Sequence, residues 1–474
     1  MKRFNKDKYL RKLKLKRYWQ TNSRYFYIGI SCLLCLVLGI YFAYSKFFVA
    51  SEEEVVRTTV GEFIYGDIIM TPYIDGQYSS TFPEKKTGIN VEKVICDGDV
   101  SASWDEDKWG LYVTNLSKRT KCSVYFVTPN SCGINDNVSC INSREGLATL
   151  ANEVNNGDNK SGKIIYLTSD LDLGGKFDSD GNALDGNISW TPIGTYSNPF
   201  SGTFDGNGHI ISNMYVNLDK ITGLFNYVLY GKLKSFGIES SYVYTSNEGS
   251  AAIAGTISSG TISGVFNGAV VKSSSSPSGI VRSLVTSTLK NSYNKTNLIS
   301  NHGQFTAGLV GYASNHSSEI KNSYNYGDII NGGYESGGIV GGLQGKVENT
   351  YNYGNVNGYG RSGGIVGQMY DTTFPSIYNS YNFGTINGGG IVGNIYLNST
   401  ENYKLSSNFY LKSSANYGVQ TNNTTFDYGA EPLSQEEMPS VISVINGDNA
   451  FVEDTNNINN GYPILKWQAE RENN

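Results

Sequence analysis

A five-residue pattern that returns at nearly constant spacing constrains this chain more than any other feature. Gly-Gly-Ile-Val-Gly occupies residues 337–341, 363–367 and 389–393, so consecutive copies are 26 residues apart. Four related copies precede these three at intervals of 26–30 residues, beginning at residues 222, 251, 278 and 307. Internal repeats of 20–50 residues are typical of solenoids and propellers.

A second pattern follows the later copies and reads Ile-Lys-Asn-Ser-Tyr-Asn-Tyr-Gly at residues 320–327. It returns at residues 347–354 and 377–384, and in shortened form at 289–294. A unit of 26–30 residues is too short for a four-stranded propeller blade, which needs about 40–45 residues. We therefore predict an all-β solenoid, a parallel β-helix in which each repeat forms one coil.

Stacked coils place equivalent residues about 4.8 Å apart, so the repeats predict ladders of like side chains. One position of the first pattern should form an inward aliphatic ladder: Leu224, Ile253, Ile280, Leu309, Ile339, Ile365 and Ile391. In the second pattern, alternation with a period of two predicts that Ile320, Asn322, Tyr324 and Tyr326 face inward. The equivalent tyrosines Tyr324, Tyr351 and Tyr381 would then stack inside the solenoid.

Both ends of the solenoid, residues 141–467, carry segments that are predicted to cap it. Residues 143–157 predict a short amphipathic helix with Ser143 as its N-cap, and its apolar positions would cover the first coil. A second cap is expected at residues 433–467, with a capping box at 434–437 and a final strand at 462–467. Caps of this kind shield the unpaired strand edges of a solenoid.

The N-terminus predicts a single membrane span. Residues 25–44 contain no charged side chain, and twenty helical residues cross about 30 Å, the thickness of a bilayer core. Residues 1–24 carry ten basic side chains against one acidic one, which places this arm in the cytoplasm. We predict a signal-anchor helix at residues 25–50 and an external remainder. A signal peptide cleaved near residues 48–51 is the alternative.

The exported part begins with a predicted small β-rich stalk domain at residues 52–128. Its strand-like runs are residues 91–96, 111–116 and 122–127, and the first third of the exported part holds the four external cysteines, Cys96, Cys122, Cys132 and Cys140. An even number outside the membrane predicts two disulfides, for which three pairings exist. Pairing of Cys96 with Cys122 across strands would leave Cys132 and Cys140 to close a short loop. Zinc is the other candidate, but neither a CxxC spacing nor a nearby histidine supports it.

The repeat resembles the GLUG motif, which is named for its Gly-Leu-hydrophobic-Gly core. The resemblance rests on Gly-Gly-Ile-Val-Gly followed by Asn-Ser/Thr-Tyr-Asn-Tyr/Phe-Gly, and on the lead-in segments at 166–173 and 199–209. GLUG repeats occur in bacterial surface adhesins and in the non-catalytic region of IgA-cleaving metalloproteases. The resemblance covers roughly residues 141–467 and implies a right-handed β-helix with a surface or adhesive role.

The sequence offers no catalytic, cofactor-binding or metal-binding residues that we can assign. The chain's three histidines, His209, His302 and His316, do not form the His-Glu-x-x-His zinc motif of the metalloproteases. Outside the basic arm the chain is acidic, which argues against nucleic acid as a partner because phosphate binding requires positive charge. We therefore expect a non-enzymatic protein without a cofactor.

The predicted function is that of a membrane-anchored bacterial surface protein whose solenoid adheres to a glycan, a host extracellular protein or another polymer. Three tyrosines are the candidate ligand contacts: Tyr334 and Tyr359 in turns, and Tyr378 on the outward face of its strand. Two alternatives remain, a membrane-tethered β-helix enzyme acting on polysaccharides and a passive spacer. The enzyme would require carboxylates that break the repeat in adjacent coils.

Overall fold

The structure is a computed structural model that describes residues 68–98, 100–114, 120–178, 181–301, 303–370, 374–396, 402–421, 424–438 and 442–472. The predicted basic arm and membrane helix lie outside these residues. Within the described ranges, no helix is both long enough and apolar enough to cross a membrane. The chain divides into two compact units. The first comprises the residues up to 85 and residues 93–126, and the second comprises residues 86–92 and 127–474.

The first unit is built from short strands around a small aromatic core. Its strands are β1 (Ile68–Ile74), β2 (Gln77–Tyr78), β3 (Asn90–Cys96), β4 (Ser101–Asp105), β5 (Gly110–Thr114) and β6 (Thr120–Val127). The order β2-β1-β6-β3 forms one sheet, and β4 and β5 form a hairpin. The rings of Trp104 and Phe126 meet edge to face, with centroids 5.3 Å apart, so the aromatic side chains supply the core.

Both predicted disulfides are present. Cys96 is bonded to Cys122 and joins the neighbouring strands β3 and β6. Cys132, which follows a 3₁₀ turn at Pro129–Ser131, is bonded to Cys140, and this bond closes a short loop of the second unit. The pairing that the sequence favoured is therefore the one observed.

The second unit is a parallel β-solenoid of about ten turns. Its first half contains β7 (Val138–Ile141), β8 (Ile164–Leu167), β9 (Leu171–Asp172), β10 (Thr203–Asp205), β11 (Ile210–Ser212), β12 (Tyr215–Leu218), β13 (Phe225–Leu229), β14 (Lys232–Thr245), β15 (Ala254–Ser258), β16 (Thr261–Ser273), β17 (Val281–Val285), β18 (Thr288–Lys290), β19 (Tyr293–Asn294) and β20 (Leu298–Ser300).

The second half contains the most regular repeats. Its strands are β21 (Phe305–Ala307), β22 (Val310–Ser314), β23 (Glu319–Asn325), β24 (Ile329–Gly332), β25 (Glu335–Gly337), β26 (Val340–Leu343), β27 (Lys346–Asn352), β28 (Val356–Gly358), β29 (Arg361–Gly363), β30 (Val366–Tyr370), β31 (Ser376–Asn382), β32 (Val392–Tyr396), β33 (Lys404–Ser406), β34 (Phe409–Leu411), β35 (Val419–Thr421), β36 (Thr424–Phe426) and β37 (Glu431–Leu433). The C-terminal segment adds a separate antiparallel pair, β38 (Phe451–Val452) and β39 (Ile464–Leu465). Successive coils pair in parallel, as β22, β26, β30 and β32 do.

The predicted aliphatic ladder is confirmed. All seven side chains, from Leu224 to Ile391, are completely buried in one hydrophobic core. Backbone hydrogen bonds connect the same positions of successive coils: the Leu309 N–H donates to the Ile339 carbonyl at 3.2 Å, and the Ile339 N–H donates to the Ile365 carbonyl at 3.0 Å. One repeat therefore corresponds to one coil.

The predicted inward orientation of the tyrosines is wrong. Asn322 and its equivalents Asn349 and Asn379 have φ values of +48°, +52° and +48°, which interrupt the alternation of the strand. Beyond this kink Ser323 and Asn325 are fully buried inside the coil, whereas Tyr324 lies on its outer side. Tyr324, Tyr351 and Tyr381 do stack, with ring centroids 4.8 and 5.2 Å apart, and this tyrosine ladder is buried in a separate core. A period of two holds only for continuous extended backbone, so one left-handed residue inverts the facing of every residue after it.

Inside the solenoid, the position predicted to face outward forms a ladder of buried asparagines: Asn267, Asn294, Asn325, Asn352 and Asn382. Each Nδ2 in the first four donates to the Oδ1 of the next asparagine at 2.7–2.8 Å. Gly338 lies against this ladder, since a Cβ there would be 2.3 Å from Asn352 Cγ and 2.1 Å from the Gly364 carbonyl oxygen. The close approach explains why the repeat combines glycine with asparagine.

The predicted N-terminal helix is α1 (Arg144–Asn155). The Ser143 side chain accepts a hydrogen bond from the Gly146 N–H at 3.1 Å, as expected of an N-cap. Its buried face consists of Leu147, Leu150, Ala151 and Val154, which join the solenoid core. Burial of this apolar stripe accounts for a single helix at the start of an all-β unit.

The C-terminal segment lies along the flank of the solenoid instead of forming a strand on its last coil. It contains α2 (Ile442–Ile445) and α3 (Lys466–Glu472), so helix replaces the end of the strand predicted at 462–467. Apolar side chains of this segment, Met438, Ile445, Phe451 and Leu465, cover the tyrosine ladder in a second core. The Tyr324 hydroxyl donates to Gln468 Oε1 at 2.8 Å, and the Trp467 Nε1 donates to the Asn291 carbonyl at 2.8 Å.

Candidate functional site

Two of the three candidate tyrosines lie side by side on consecutive coils. Tyr334 immediately precedes β25 and Tyr359 lies two residues before β29. Their ring centroids are 5.7 Å apart and the residues are 53% and 69% exposed. Parallel pairing of β25 with β29 places Tyr334 opposite Gly360, the neighbour of Tyr359, and so brings the two rings together on the surface. Such a pair offers two apolar faces with polar hydroxyl tips to a ligand.

Tyr378 is not part of this pair. It belongs to β31, which pairs with β27 in the long sheet on another face of the coil. Its ring is partly buried and lies under the Lys346 ammonium group, with Nζ 5.9 Å from the ring centroid. Lys346 also forms ion pairs with Glu348 and, at 3.4 Å, with Glu319. These contacts occupy the outward face on which the sequence placed a ligand.

Two rows of side chains face each other beside the exposed pair. The first row consists of Phe305, Glu335 and Arg361, which are aligned in register on β21, β25 and β29. The second row consists of Tyr312, Gly342, Gln368 and Asn394, aligned on β22, β26, β30 and β32. The last glycine of each repeat lies between the rows; a Cβ on Gly341 would be 3.0 Å from the Glu335 carbonyl oxygen. We call this feature the two-row cluster.

Side chains of the two rows contact each other. In one coil the rings of Phe305 and Tyr312 stack with centroids 4.8 Å apart. Two coils further on, the Arg361 Nη1 donates to Gln368 Oε1 at 2.6 Å. The intervening coil places Glu335 opposite Gly342, which has no side chain to offer. The rings of Phe305 and Tyr312 approach Gly342 closely, since a Cβ there would be 2.7 Å from each.

Glu335 is therefore a buried carboxylate with incomplete pairing. The residue is 5% exposed, and Oε1 lies 3.5 Å from Arg361 Nη1. Oε2 has no hydrogen-bond partner among the described residues. Burial raises the pKa of this carboxyl above its ordinary value, and the opposing charge of Arg361 lowers it only in part. An unpaired buried acceptor costs about 1–3 kcal/mol, so its presence at a repeat-breaking position needs a reason.

Aromatic and cationic groups surround this carboxylate. The rings of Tyr312 and Tyr370 meet edge to face with centroids 6.0 Å apart. The pKa of the Tyr370 hydroxyl is raised by burial and further by the negative charge of Glu335. At the far side of Phe305 lies the Arg282 guanidinium, 5.8 Å from the ring centroid, and burial lowers the pKa of Arg282. The two-row cluster and its surroundings thus combine aromatic rings, one carboxylate and two guanidinium groups.

The sequence analysis missed the two-row cluster. It compared the positions at which the repeats agree, whereas the cluster is formed where they differ: Phe305, Glu335 and Arg361 are equivalent residues of three chemical classes. Such variation at one register position was the available signal. In the parts of the chain that the structure describes, His, Cys, Asp and Glu side chains nowhere form a group of three or more that could hold a metal ion.

Comparison with known proteins gives a likeness in structure alone. No family model matches the chain, and no curated protein matches it in sequence. The GLUG resemblance therefore stays a prediction. Among solved structures, the chain is similar to a putative immunoglobulin A1 protease from Bacteroides ovatus, with 18% sequence identity and a TM-score of 0.40. The similarity covers 72% of this chain and 95% of that protein.

Proposed function

We propose that this chain is a membrane-anchored bacterial surface protein whose β-solenoid binds a polymer or a host surface. The observation that carries the proposal is the exposed pair Tyr334 and Tyr359, which consecutive coils present 5.7 Å apart. Single exposed aromatic side chains occur elsewhere on this chain, but these two rings lie side by side, and large apolar groups gain free energy when a ligand covers them. A stacked repeat also offers many weak contacts in parallel, which suits an extended ligand.

Two further features support an external location. The uncharged segment 25–44 after a basic arm is typical of a signal anchor. Two disulfides, Cys96–Cys122 and Cys132–Cys140, are typical of proteins that fold in an oxidising compartment. The anchor and the disulfides are independent features, and both favour an exported solenoid.

The experiment is a binding assay of the exported part, residues 52–474, on an array of glycans and extracellular-matrix proteins. Selective, saturable retention is expected, and it should fall at least tenfold in a Tyr334→Ala/Tyr359→Ala double variant, because removal of two stacking rings costs more than 1.4 kcal/mol. Tyr428→Ala serves as the matched control, since Tyr428 is 84% exposed on another part of the solenoid. Absence of retention would favour a passive spacer, and loss of an arrayed glycan would favour an enzyme.

A further inference from the structure

A lysine, an asparagine and an aspartate meet in the first coils of the solenoid. Lys234 Nζ donates to Asn90 Oδ1 at 2.8 Å, and Asn90 Nδ2 donates to Asp205 Oδ2 at 2.7 Å. The same carboxylate oxygen lies 3.7 Å from Lys234 Nζ, so the carboxyl group is close to both nitrogen atoms. Asp205 is completely buried and Asn90 is 5% exposed, whereas the Lys234 side chain is 17% exposed. We call these three residues the Lys-Asn-Asp triad.

Neighbouring strands and one buried tyrosine hold the Lys-Asn-Asp triad in place. Asp205 on β10 is in register with Lys234 on β14 and with Tyr166 on β8, so these three residues stack on adjacent coils. Asn90 belongs to residues 86–92, which are part of the second unit. Its Nδ2 also donates to the hydroxyl of Tyr166, a completely buried residue, at 2.8 Å. The Asn90 amide is therefore fixed with its oxygen towards the lysine and its nitrogen towards the aspartate.

From this geometry we propose that the Lys-Asn-Asp triad forms an amide cross-link between Lys234 Nζ and Asn90 Cγ, with Asp205 as the catalytic residue. Such a bond requires an amine beside the amide carbonyl and a group that takes a proton from the amine and gives one to the leaving nitrogen. Lys234 Nζ contacts the amide oxygen, which is bonded to the carbon to be attacked. Asp205 Oδ2 contacts the amide nitrogen, which must leave. The cross-link goes beyond the binding function proposed above and does not depend on it.

The reaction needs no oxidant and no further reactant. Asp205 first takes a proton from the Lys234 ammonium group, which frees the lone pair of Nζ. This lone pair forms a bond to Asn90 Cγ while the π electrons of the carbonyl move to Oδ1. Asp205 then gives its proton to Asn90 Nδ2 and takes a second proton from Nζ. The carbonyl forms again, the Cγ–Nδ2 bond breaks, and its electron pair leaves with the nitrogen as ammonia.

Burial of the carboxyl group distinguishes the Lys-Asn-Asp triad from a similar set nearer the surface. Lys163 Nζ donates to Asn137 Oδ1 at 3.0 Å, and Asn137 Nδ2 donates to Glu92 Oε1 at 2.9 Å. All three of these residues are partly exposed, so water stabilises the ammonium and carboxylate charges. In the Lys-Asn-Asp triad the carboxylate is out of water, and a buried charge is costly enough to favour proton transfer that leaves a neutral acid. The neutral amine that attack requires is therefore expected at Lys234 and not at Lys163.

Tandem mass spectrometry of the full chain, purified in detergent, reduced and digested with trypsin, tests the proposal. The wild type should yield a branched peptide in which residues 87–93 are joined to residues 233–272. Its mass should be about 17 Da below that of the two peptides together, because ammonia has left. Trypsin does not cut after a lysine whose Nζ is acylated, so the second peptide continues past Lys234. In Lys234→Arg, which keeps the positive charge, the peptide of residues 87–93 should be recovered unlinked.

Two further variants test the role of the carboxyl group. Lys163→Arg is the matched control, since it alters the similar but more exposed lysine, and it should still yield the branched peptide. Asp205→Asn keeps the shape of the side chain and removes the proton carrier, so at least about tenfold less branched peptide is expected in freshly made protein. Recovery of residues 87–93 only as an unlinked peptide from the wild type would overturn the proposal. An undiminished yield of branched peptide in Asp205→Asn would overturn it as well.

Discussion

Asn352→Ala is the substitution whose effect on stability can be worked most directly from the structure. Asn352 Nδ2 donates to Asn382 Oδ1 at 2.8 Å and to the Gly354 carbonyl at 2.7 Å, and Asn352 Oδ1 accepts from Asn325 Nδ2 at 2.8 Å. Asn325 retains a second acceptor, the Gly327 carbonyl, so its amide remains bonded. The substitution therefore leaves two buried acceptors without their donor.

Each buried group that loses its partner costs about 1–3 kcal/mol, so the two acceptors predict a loss of about 4 kcal/mol in the free energy of unfolding. Urea unfolding, followed by far-UV circular dichroism and tyrosine fluorescence, measures the loss. Asn357→Ala is the matched control, since Asn357 lies in the same coil on β28 and is exposed. Its effect should stay within about 0.5 kcal/mol. If the two variants unfold at the same urea concentration, the asparagine ladder does not hold the coils together.

Three further predictions concern packing, ionisation and cross-linking. Gly338→Ala should lower the free energy of unfolding by about 3 kcal/mol or more, because its Cβ would lie 2.1 Å from a carbonyl oxygen. Gly447→Ala is the control: no atom lies closer than 4.0 Å to its Cβ, so thermal melting should show almost no change. Burial raises the pKa of the ladder tyrosines Tyr324, Tyr351 and Tyr381 well above 10, so only the unfolded chain releases these protons at pH 10–12. The free energy of unfolding should therefore be constant below pH 9 and fall above pH 10. A variant with Tyr324, Tyr351 and Tyr381 all replaced by Phe should lose less stability in alkali. Absorbance at 295 nm follows tyrosine ionisation, and thermal melting follows stability. Loss of the Cys96–Cys122 bond, whose cysteines are 26 residues apart, should lower the free energy of unfolding by about 3.5 kcal/mol. Loss of the Cys132–Cys140 bond, with a separation of 8 residues, should lower it by about 2.5 kcal/mol because the closed loop is shorter. Thermal melting of Cys→Ser variants without reductant measures both.

Much of the solenoid could be predicted because its coils repeat. The aliphatic ladder from Leu224 to Ile391 follows from spacing alone, since stacking places like residues together. The helix cap at Ser143 depends only on neighbouring residues in the sequence. The disulfides could be predicted because four cysteines allow few pairings. The membrane segment stays a prediction, because residues 25–50 lie outside the described residues.

The side of the strand on which the tyrosines lie could not be predicted from a period of two, because it depends on the positive φ angle of Asn322 and its equivalents. The course of the C-terminal segment was equally inaccessible, since it depends on long-range contacts such as that of Gln468 with Tyr324, 144 residues away. The two-row cluster can be recognised only when the register of several strands is known at once. Position 342 is an ordinary glycine in sequence, and it becomes informative only when Glu335 is known to face it.

The most direct measurement of the central claim uses whole bacterial cells that display the full chain. Cells carrying the wild type should be retained selectively on the glycan and matrix array, and cells carrying Tyr334→Ala/Tyr359→Ala at equal surface density should be retained far less. Exposure of these two rings on neighbouring coils is the reason for the expected loss. Equal retention of the two cell types, or retention no greater than that of cells without the chain, would contradict the account of this protein as a surface-binding solenoid.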